Sequence, residues 1–391
     1  MPWSKSVLNL PGMHIEKVSG RDPVRIWVSY EGAVECPHCG GQRLRTKDTY
    51  EREVRHERFG SRKVFLHVRG HKYYCRDCRK YFRQRFPGIL PGRRATEACR
   101  RQVVEEHLDG VCQSRAAQRA GIGSATVERW TQDLVERKVA ELRGAPCPRV
   151  LGIDEHYFSR RHGYATTFVN LRKHRVFDVV PGRSEKALRS YLKRLPGREE
   201  VQVVCMDLSR SYRALVRKYF PNAMIVADRF HAVRLVGQHF DGLWRQLDPQ
   251  GSRHRGLVSL MRRRPDRLRE EQVGKLENYL NEHPDVQAIY EFKQELWSLL
   301  NQKTLTARDC RRQIPVLLDR IEDLKHSAFE AMQTLGNTLD EWKDELARMW
   351  RFTKNNGITE GLHTKMEMIS RRAYGFKNFD NYRLRVRALC S

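Results

Sequence analysis

The chain has no stretch of about 18 consecutive apolar residues, the length a helix needs to cross a bilayer. Its opening, MPWSKSVLNLPGMH, holds too short an apolar stretch for a secretory signal. These absences predict a cytoplasmic protein with no membrane partner. Acidic charge is also scarce: 47 Asp and Glu stand against 74 Lys and Arg, a formal net charge of +27 at neutral pH. A positive field that broad draws polyanions, and nucleic acid is the common one. Ten cysteines in 391 residues are too sparse for a disulfide framework. Cys99, Cys112, Cys147, Cys205, Cys310 and Cys390 are scattered and read as free thiols, whereas the other four fall in two C-x2-C pairs. The length exceeds what one ordinary core organises, so roughly two to four domains are expected.

Residues 13 to 30 alternate polar and apolar through Val24, Ile26 and Val28, as an antiparallel strand would. Cys36-Pro-His-Cys39 follows, then strand-like alternation from Thr46 to Val68, then Cys75-Arg-Asp-Cys78. The separation leaves room for a hairpin to bring four sulfurs together. Zinc takes such soft ligands tetrahedrally, and its binding free energy here substitutes for a missing core. Cys36, Cys39, Cys75 and Cys78 are therefore the expected ligands of a structural Zn2+, with His38 and His71 outside a shell already complete. Lys72, Arg76, Arg79, Lys80, Arg83 and Arg85 around the second knuckle are available to phosphates.

After Pro87 and Pro91-Gly92, residues 95 to 140 read as three helices. Within SRAAQRAGIGSATVERW from Ser114, Ala117 is followed by Gly121, Val127 and Trp130. A helix-turn-helix requires this pattern: a small residue where helices cross, a glycine free to take positive φ, and apolar residues that dock the second helix. Ser124 is expected to cap that helix, leaving Thr126, Glu128 and Arg129 facing a major groove.

GAPCP from Gly144 makes a linker, and the pattern then changes. Arg149–Asp154, Tyr164–Leu171 and Val176–Val180 read as three strands, with His174 and Arg175 in a tight turn. Glu185–Leu195 and Tyr212–Phe220 read as helices that alternate with strands at Val201–Met206 and Ala223–Ala227. Three strands joined by short turns and then alternating helices and strands describe a ribonuclease-H-like mixed sheet. From His231 to Trp350 the strand signal vanishes: Val236, Phe240, Leu243, Trp244 and Leu247 share one helical face, as do Leu335, Leu339, Trp342, Leu346 and Met349. A polar helix start at Asn356-Gly-Ile-Thr-Glu360 and an Arg-rich helix close the chain. The expected architecture is thus multidomain α/β: a zinc ribbon over 1–90, a helix-turn-helix unit over 92–143, a ribonuclease-H-like core from 149–230 and 351–391, and an all-α insertion over 231–350.

In that topology the first and fourth strands lie side by side, so Asp154 and Asp207 at their ends would be about one strand spacing, 5 Å, apart. Glu360 on the helix after the insertion would close the site. Two Mg2+ ions (or Mn2+) held there suit an in-line phosphodiester displacement. Asp228 is the rival for the second position, but its strand is one ladder further away. Asp228 and His231 then form an adjacent pair that leads into the helical block and orients the site, and Glu155 and His156 flank the first acid.

With these residues in view, the chain resembles insertion-sequence transposases of the ISL3 family, which have a DDE catalytic core. The resemblance rests on the two knuckles, the helix-turn-helix, LGIDEHYFSRRHGYATTFVNL from Leu151, VVCMDLSRSY from Val203, FPNAMIVADRFH from Phe220 and NNGITEGLHTKMEMISRRAYGFKN from Asn355. It implies Asp154, Asp207 and Glu360 as the metal-binding triad of a polynucleotidyl transferase. It also implies double-stranded DNA, transposon ends and target, as substrate, and a homodimer in the synaptic complex. Glu367 stands where many such enzymes carry a basic residue, so Lys365, Arg371 or Arg372 would supply phosphate contacts. His363 stands where related sequences tend to have Asn. Two other readings keep the fold: a DNA-binding regulator without catalysis, and a resolvase-like nuclease without strand transfer.

Overall fold

The computed structural model describes residues 8–142, 144–352 and 357–391. The expected helix start at Asn355 and Asn356 lies outside the described residues. The chain divides into two compact units, Met1–Glu141 with Ile369–Phe376 and Leu142–Met368 with Lys377–Ser391. Among the described residues no helix is long and apolar enough to cross a membrane.

The first unit opens with β1 (Met13–Ser19), β2 (Val24–Tyr30), β3 (Leu44–Phe59), β4 (Arg62–Cys75) and β5 (Tyr81–Arg83). Their order is β1-β2-β4-β3, with β5 on the tip of β4. The alternation of Val24, Ile26 and Val28 with Val64, Leu66 and Val68 gives the base of this sheet one apolar face, completed by Leu8, Met13, Val54, Phe86 and Ile89. The expectation that zinc replaces a missing core is corrected here. The base has its own core, and only the tip, where Cys36, Cys75 and Phe82 form a small separate cluster, lacks one.

Helices α1 (Glu97–Leu108), α2 (Gln113–Ala120) and α3 (Ser124–Ala140) follow. Ala116, Ala117 and Ala120 let α2 approach Val103, Val104, Val127 and Trp130 closely. Gly121 ends α2 with φ of 64°, a left-handed conformation that Gly takes without Cβ strain. Ser124 does not cap α3. Gly123 holds that position without a side-chain cap bond, and Ser124 is the first helical residue. Buried Arg100 joins α1 to α3 through Glu97 and Asp133, with Trp130 beneath its guanidinium.

The second unit carries β6 (Val150–Ser159), β7 (Gly163–Asn170), β8 (Arg175–Pro181), α4 (Glu185–Lys193), β9 (Val203–Met206), α5 (Arg210–Tyr219) and β10 (Met224–Ala227). The sheet order is β10-β9-β6-β7-β8. β6, β7 and β8 are antiparallel neighbours, while β9 and β10 join parallel to β6. His174 turns the β7–β8 hairpin with positive φ. β6 runs five residues past Asp154, so this acid lies within a strand and not at its end.

Among the described residues seven α-helices follow: α6 (Arg229–Leu247), α7 (Arg255–Met261), α8 (Glu270–Glu282), α9 (Pro284–Asn301), α10 (Ala307–Lys325), α11 (Glu330–Glu341) and α12 (Lys343–Arg348). α7 and α8 pack with Trp244, Val286 and Tyr290 in a core of their own, but the apolar faces of the other helices do not form an isolated bundle. Leu296, Leu299, Leu339, Trp342, Leu346 and Trp350 belong to the same core cluster as Met206, Leu215 and Val226 of the sheet layer. Two arginines fasten this junction. Buried Arg229 donates to the carbonyls of Leu300 (3.1 Å) and Met349 (2.7 Å), and Arg213 lies 3.4 Å over the Trp342 ring while donating to the Glu341 carbonyl at 2.9 Å. Helices α13 (Gly357–Arg372) and α14 (Phe379–Cys390) complete the chain. Arg383 fastens α14 to β8 through both oxygens of buried Asp178, at 2.8 and 2.6 Å.

Candidate functional site

The parallel register decides where the acids go. Ile153 of β6 pairs with Met206 of β9, and Met206 pairs with Ala227 of β10. Asp154, Asp207 and Asp228 are the next residues on three neighbouring strands, with Asp207 in the middle. Adjacent strands are about 4.8 Å apart, so Asp207 neighbours both other acids, whereas Asp154 and Asp228 are separated by about twice that.

All three are recessed, and this sets their chemistry. Burial pushes the Asp154 carboxyl up to about 7; the Glu155 amide, donating to its Oδ1 at 2.8 Å, opposes this, and the Asp207 and Asp228 charges add to it. Burial likewise pushes Asp207 up to about 6, opposed by His231. Oδ1 of Asp207 is buried and has no hydrogen-bond partner among the described residues. Asp228 is committed elsewhere: it caps α6, one oxygen accepting the Phe230 amide at 3.1 Å and the other lying 3.4 Å from His231 Nε2. Glu360, in the first turn of α13, is exposed. Its charge reaches His231, which also senses Asp207. Asp154, Asp207 and Glu360 do not all come within 4.8 Å of one another.

One turn beyond Glu360, His363 reaches back to the sheet. Its Nδ1 is 3.8 Å from Asp154 Oδ2, and its Nε2 is 3.1 Å from the Thr167 hydroxyl. The same hydroxyl is 3.0 Å from Nδ1 of His156, whose Nε2 meets the Tyr382 hydroxyl at 3.0 Å. Burial holds both rings neutral, lowering His156 to about 3 and His363 to about 4. Sequence reasoning marked His156 but missed Thr167 and Tyr382. Thr167 is the cross-strand partner of Asp154 on β7, a signal that emerges only once the hairpin register is known.

The second cluster is closed. Sγ of Cys36 lies 3.6 Å from that of Cys78, Sγ of Cys39 lies 3.6 Å from that of Cys75, and all four sulfurs fall within 4.8 Å of one another. A tetrahedron with Zn–S bonds of about 2.3 Å has edges of about 3.8 Å, so this thiol set fits zinc. Each knuckle is shaped by backbone bonds, Gly40 N to Cys36 O (2.9 Å) and Cys75 N to Lys80 O (3.0 Å).

Residues 151–386 match the family profile of the ISL3-type DDE transposases, whose description is "Transposase". The chain belongs to this transposase family. Residues 33–78 match a second profile, the zinc-finger of the transposases IS204, IS1001, IS1096 and IS1165, which spans both cysteine knuckles. The chain is also 25% identical over 368 residues to the transposase for insertion sequence element IS1001 of Bordetella parapertussis, covering 90% of this chain and 88% of that protein. As a transposase it is an enzyme that acts on DNA.

The residues expected to meet DNA are distributed over this transposase as follows. On α3, Ser124, Glu128 and Arg129 are exposed and Thr126 is half-buried, with Arg129 Nη2 3.3 Å from the Thr126 hydroxyl. Lys365 donates to the Leu389 carbonyl at 2.8 Å, which fixes α13 to α14. Arg371 and Arg372 are exposed in the last turn of α13, and Arg372 lies 3.8 Å from Asp109.

Proposed function

We propose that this transposase binds the terminal inverted repeats of an insertion sequence and cuts and joins DNA strands at a ribonuclease-H-like site formed by Asp154, Asp207 and Glu360. The observation that carries the reading is that Asp154 and Asp207 each directly follow the last paired residues, Ile153 and Met206, of two adjacent parallel strands, with Asp207 Oδ1 buried and without a hydrogen-bond partner among the described residues. A buried acceptor without a donor is unfavourable by about 1–3 kcal/mol, and a cation would satisfy it. The raised carboxyls point the same way, since packed acids remain ionised together only when a positive charge joins them. The sheet order, with its first and fourth strands adjacent, supports the fold assignment.

Asp154, Asp207 and Glu360 would hold two Mg2+ or Mn2+ ions. Such ions activate a water or 3′-hydroxyl and stabilise the departing oxygen of an in-line displacement. Thr167 and His363 orient Asp154 and set the approach of α13, and with it Glu360, to the sheet. Asp228, accepting the Phe230 amide of α6, positions His231 beside Asp207. End recognition is assigned to α3 through Ser124, Thr126 and Arg129, with Lys365, Arg371 and Arg372 as further basic contacts and the zinc ribbon alongside. Two ends must be brought together for joining, so the active species on DNA is a homodimer, at work in the cytoplasm.

The test is a cleavage assay on DNA carrying the inverted repeats that flank the reading frame. Asp154→Ala, Asp207→Ala and Glu360→Ala are each expected to retain end binding and lose Mg2+-dependent cleavage. Full cleavage by any of the three would sink the triad. Cleavage lost in Asp228→Ala but retained in Asp207→Ala would reassign the second ligand. Light scattering of the end complex is expected to give two protein chains, and a strictly monomeric complex would contradict the dimer.

A further inference from the structure

Beyond the point where the core of the first unit stops, the sheet continues as three strands, β3, β4 and β5. Its register places Arg45, Tyr74 and Tyr81 in one row and Asp48, Lys72 and Arg83 in the next. Side chains alternate along a strand, so these six share one face, while Tyr73, Cys75 and Phe82 point to the cysteine cluster on the other. The cysteine side is filled. The other face is open: Arg45, Lys72 and Arg83 are exposed and Tyr81 is 56% exposed.

The face is aromatic and cationic together. The Tyr74 and Tyr81 ring centres are 4.9 Å apart. Lys47, at the bulge between Thr46 and Asp48, has its Nζ 5.6 Å from the Tyr74 ring, and Lys72 Nζ is 5.7 Å from Tyr81. Arg83 lies 5.7 Å from the ring of Tyr50, which lies across Gly70, where a Cβ would come within 2.8 Å of it. Four cations therefore surround three tyrosines, against the single charge of Asp48.

Paired tyrosines, Tyr81 exposed and Tyr74 half-buried, within a ring of lysines and arginines fit a ligand with flat apolar faces and regularly spaced anions. A single DNA strand has both: its unstacked bases lie on aromatic rings and its phosphates pair with flanking cations. A duplex hides its base faces and would use the cations alone. We propose that this face of the zinc ribbon binds single-stranded DNA, with bases stacked on Tyr74 and Tyr81 and phosphates held by Arg45, Lys47, Lys72 and Arg83. The inference rests on the reading that the transposase acts on DNA ends, and adds that the ribbon takes a strand that is already unpaired.

The test uses the full-length, zinc-loaded protein and three fluorescent probes: a thymidine oligonucleotide, an abasic oligomer of equal length and a blunt duplex. Wild type is expected to bind the thymidine strand more tightly than the abasic one. Tyr81→Ala should weaken thymidine-strand binding by about 5- to 150-fold, the range expected for losing one stacked base, and leave duplex binding within about twofold. Tyr81→Phe keeps the ring and should restore binding. Zinc content of one equivalent in Tyr81→Ala and Tyr74→Ala confirms that the tip is folded. Equal affinity for thymidine and abasic strands, or unchanged strand binding in both alanine variants, would overturn the proposal while leaving end cleavage intact. A protein that bound none of the three probes and cut no ends would instead overturn the parent reading.

Discussion

The four thiols and the three carboxylates are both metal-type ligand sets, yet they are built in opposite ways. The cysteines sit on two tight turns, and their sulfurs are gathered within 4.8 Å. The acids come from a strand interior, a strand end and a helix, and Glu360 is exposed and not gathered with the others. A structural site is closed because its metal only has to hold the chain; a catalytic site keeps positions open for substrate. Thiols also pack together as neutral groups, whereas carboxylates repel until a cation is present: on top of burial, Asp207 and Asp228 raise Asp154, and Glu155 and Asp228 raise Asp207. Position within the core sharpens the contrast. The cysteines stand where the apolar core has run out, and the acids stand on its rim.

The largest effect that would break this comparison is loss of zinc. Cys75→Ser is expected to reduce bound zinc from one equivalent to none and to forfeit part of a binding free energy that is about 10–16 kcal/mol in zinc-finger peptides. Amide exchange should rise by orders of magnitude around Leu44 and Tyr81 but remain slow at Val64 and Leu66, which the sheet-base core protects. Equal loss of protection at both places would mean that the base core does not stand alone.

Next is the acid site. Asp207→Asn should lower the cleavage rate by at least about 10³-fold, roughly 4 kcal/mol in the barrier, while its thermal midpoint does not fall. Activity should fall without a matching loss of stability because Oδ1 of the removed carboxylate is buried and has no hydrogen-bond partner among the described residues. A fall in both would assign Asp207 to the framework.

A third effect is pH-dependent and belongs to the first unit. His56 is buried against Thr96, 3.0 Å from its hydroxyl, and burial lowers it from 6.5 to about 4. The folded state therefore holds it neutral. Its contribution is fully present above pH 6.5 and lost as the pH falls through 4, a change of about 3 kcal/mol. Urea unfolding of zinc-saturated protein at pH 6.5, 5 and 4 should show a shallower decline in His56→Gln than in wild type, and parallel declines would remove His56 as the cause.

The smallest effect is at Thr167. Thr167→Val deletes the hydroxyl shared by His156 and His363, and should lower cleavage about tenfold with a raised Mg2+ requirement and unchanged duplex binding. An unaltered Mg2+ titration would confine the hydroxyl to packing.

Period-2 alternation revealed the sheet at Val24, Ile26 and Val28, and the succession of short apolar runs revealed the order of β6 to β10, because both are local patterns. The strand end at Asp154 was misread because Glu155–Ser159 is polar and aromatic, with none of the apolar character that marked the preceding residues. The cap of α3 was misplaced by one residue, since Gly123 and Ser124 both suit a helix start. The base core was missed because Leu8, Phe86 and Ile89 lie far from the strands they cover. At the site, only Asp207 and Asp228 were legible from strand ends. The partnership of Thr167 with two histidines was not, because it depends on register and on a helix arriving from nearly 200 residues away.

The extension of β6 beyond Asp154 has a consequence in time as well as in space. Glu155 and His156 remain in the ladder with Thr166 and Ala165, so the backbone is held on both flanks of Asp154. Asp207 stands where β9 has already ended, and the chain turns at once toward α5. Relaxation measurements should find the Asp154 amide as still as the sheet and the Asp207 amide moving on the faster timescale of a loop. Asp154 is held as a fixed reference, and Asp207 has the freedom of a residue that begins a loop.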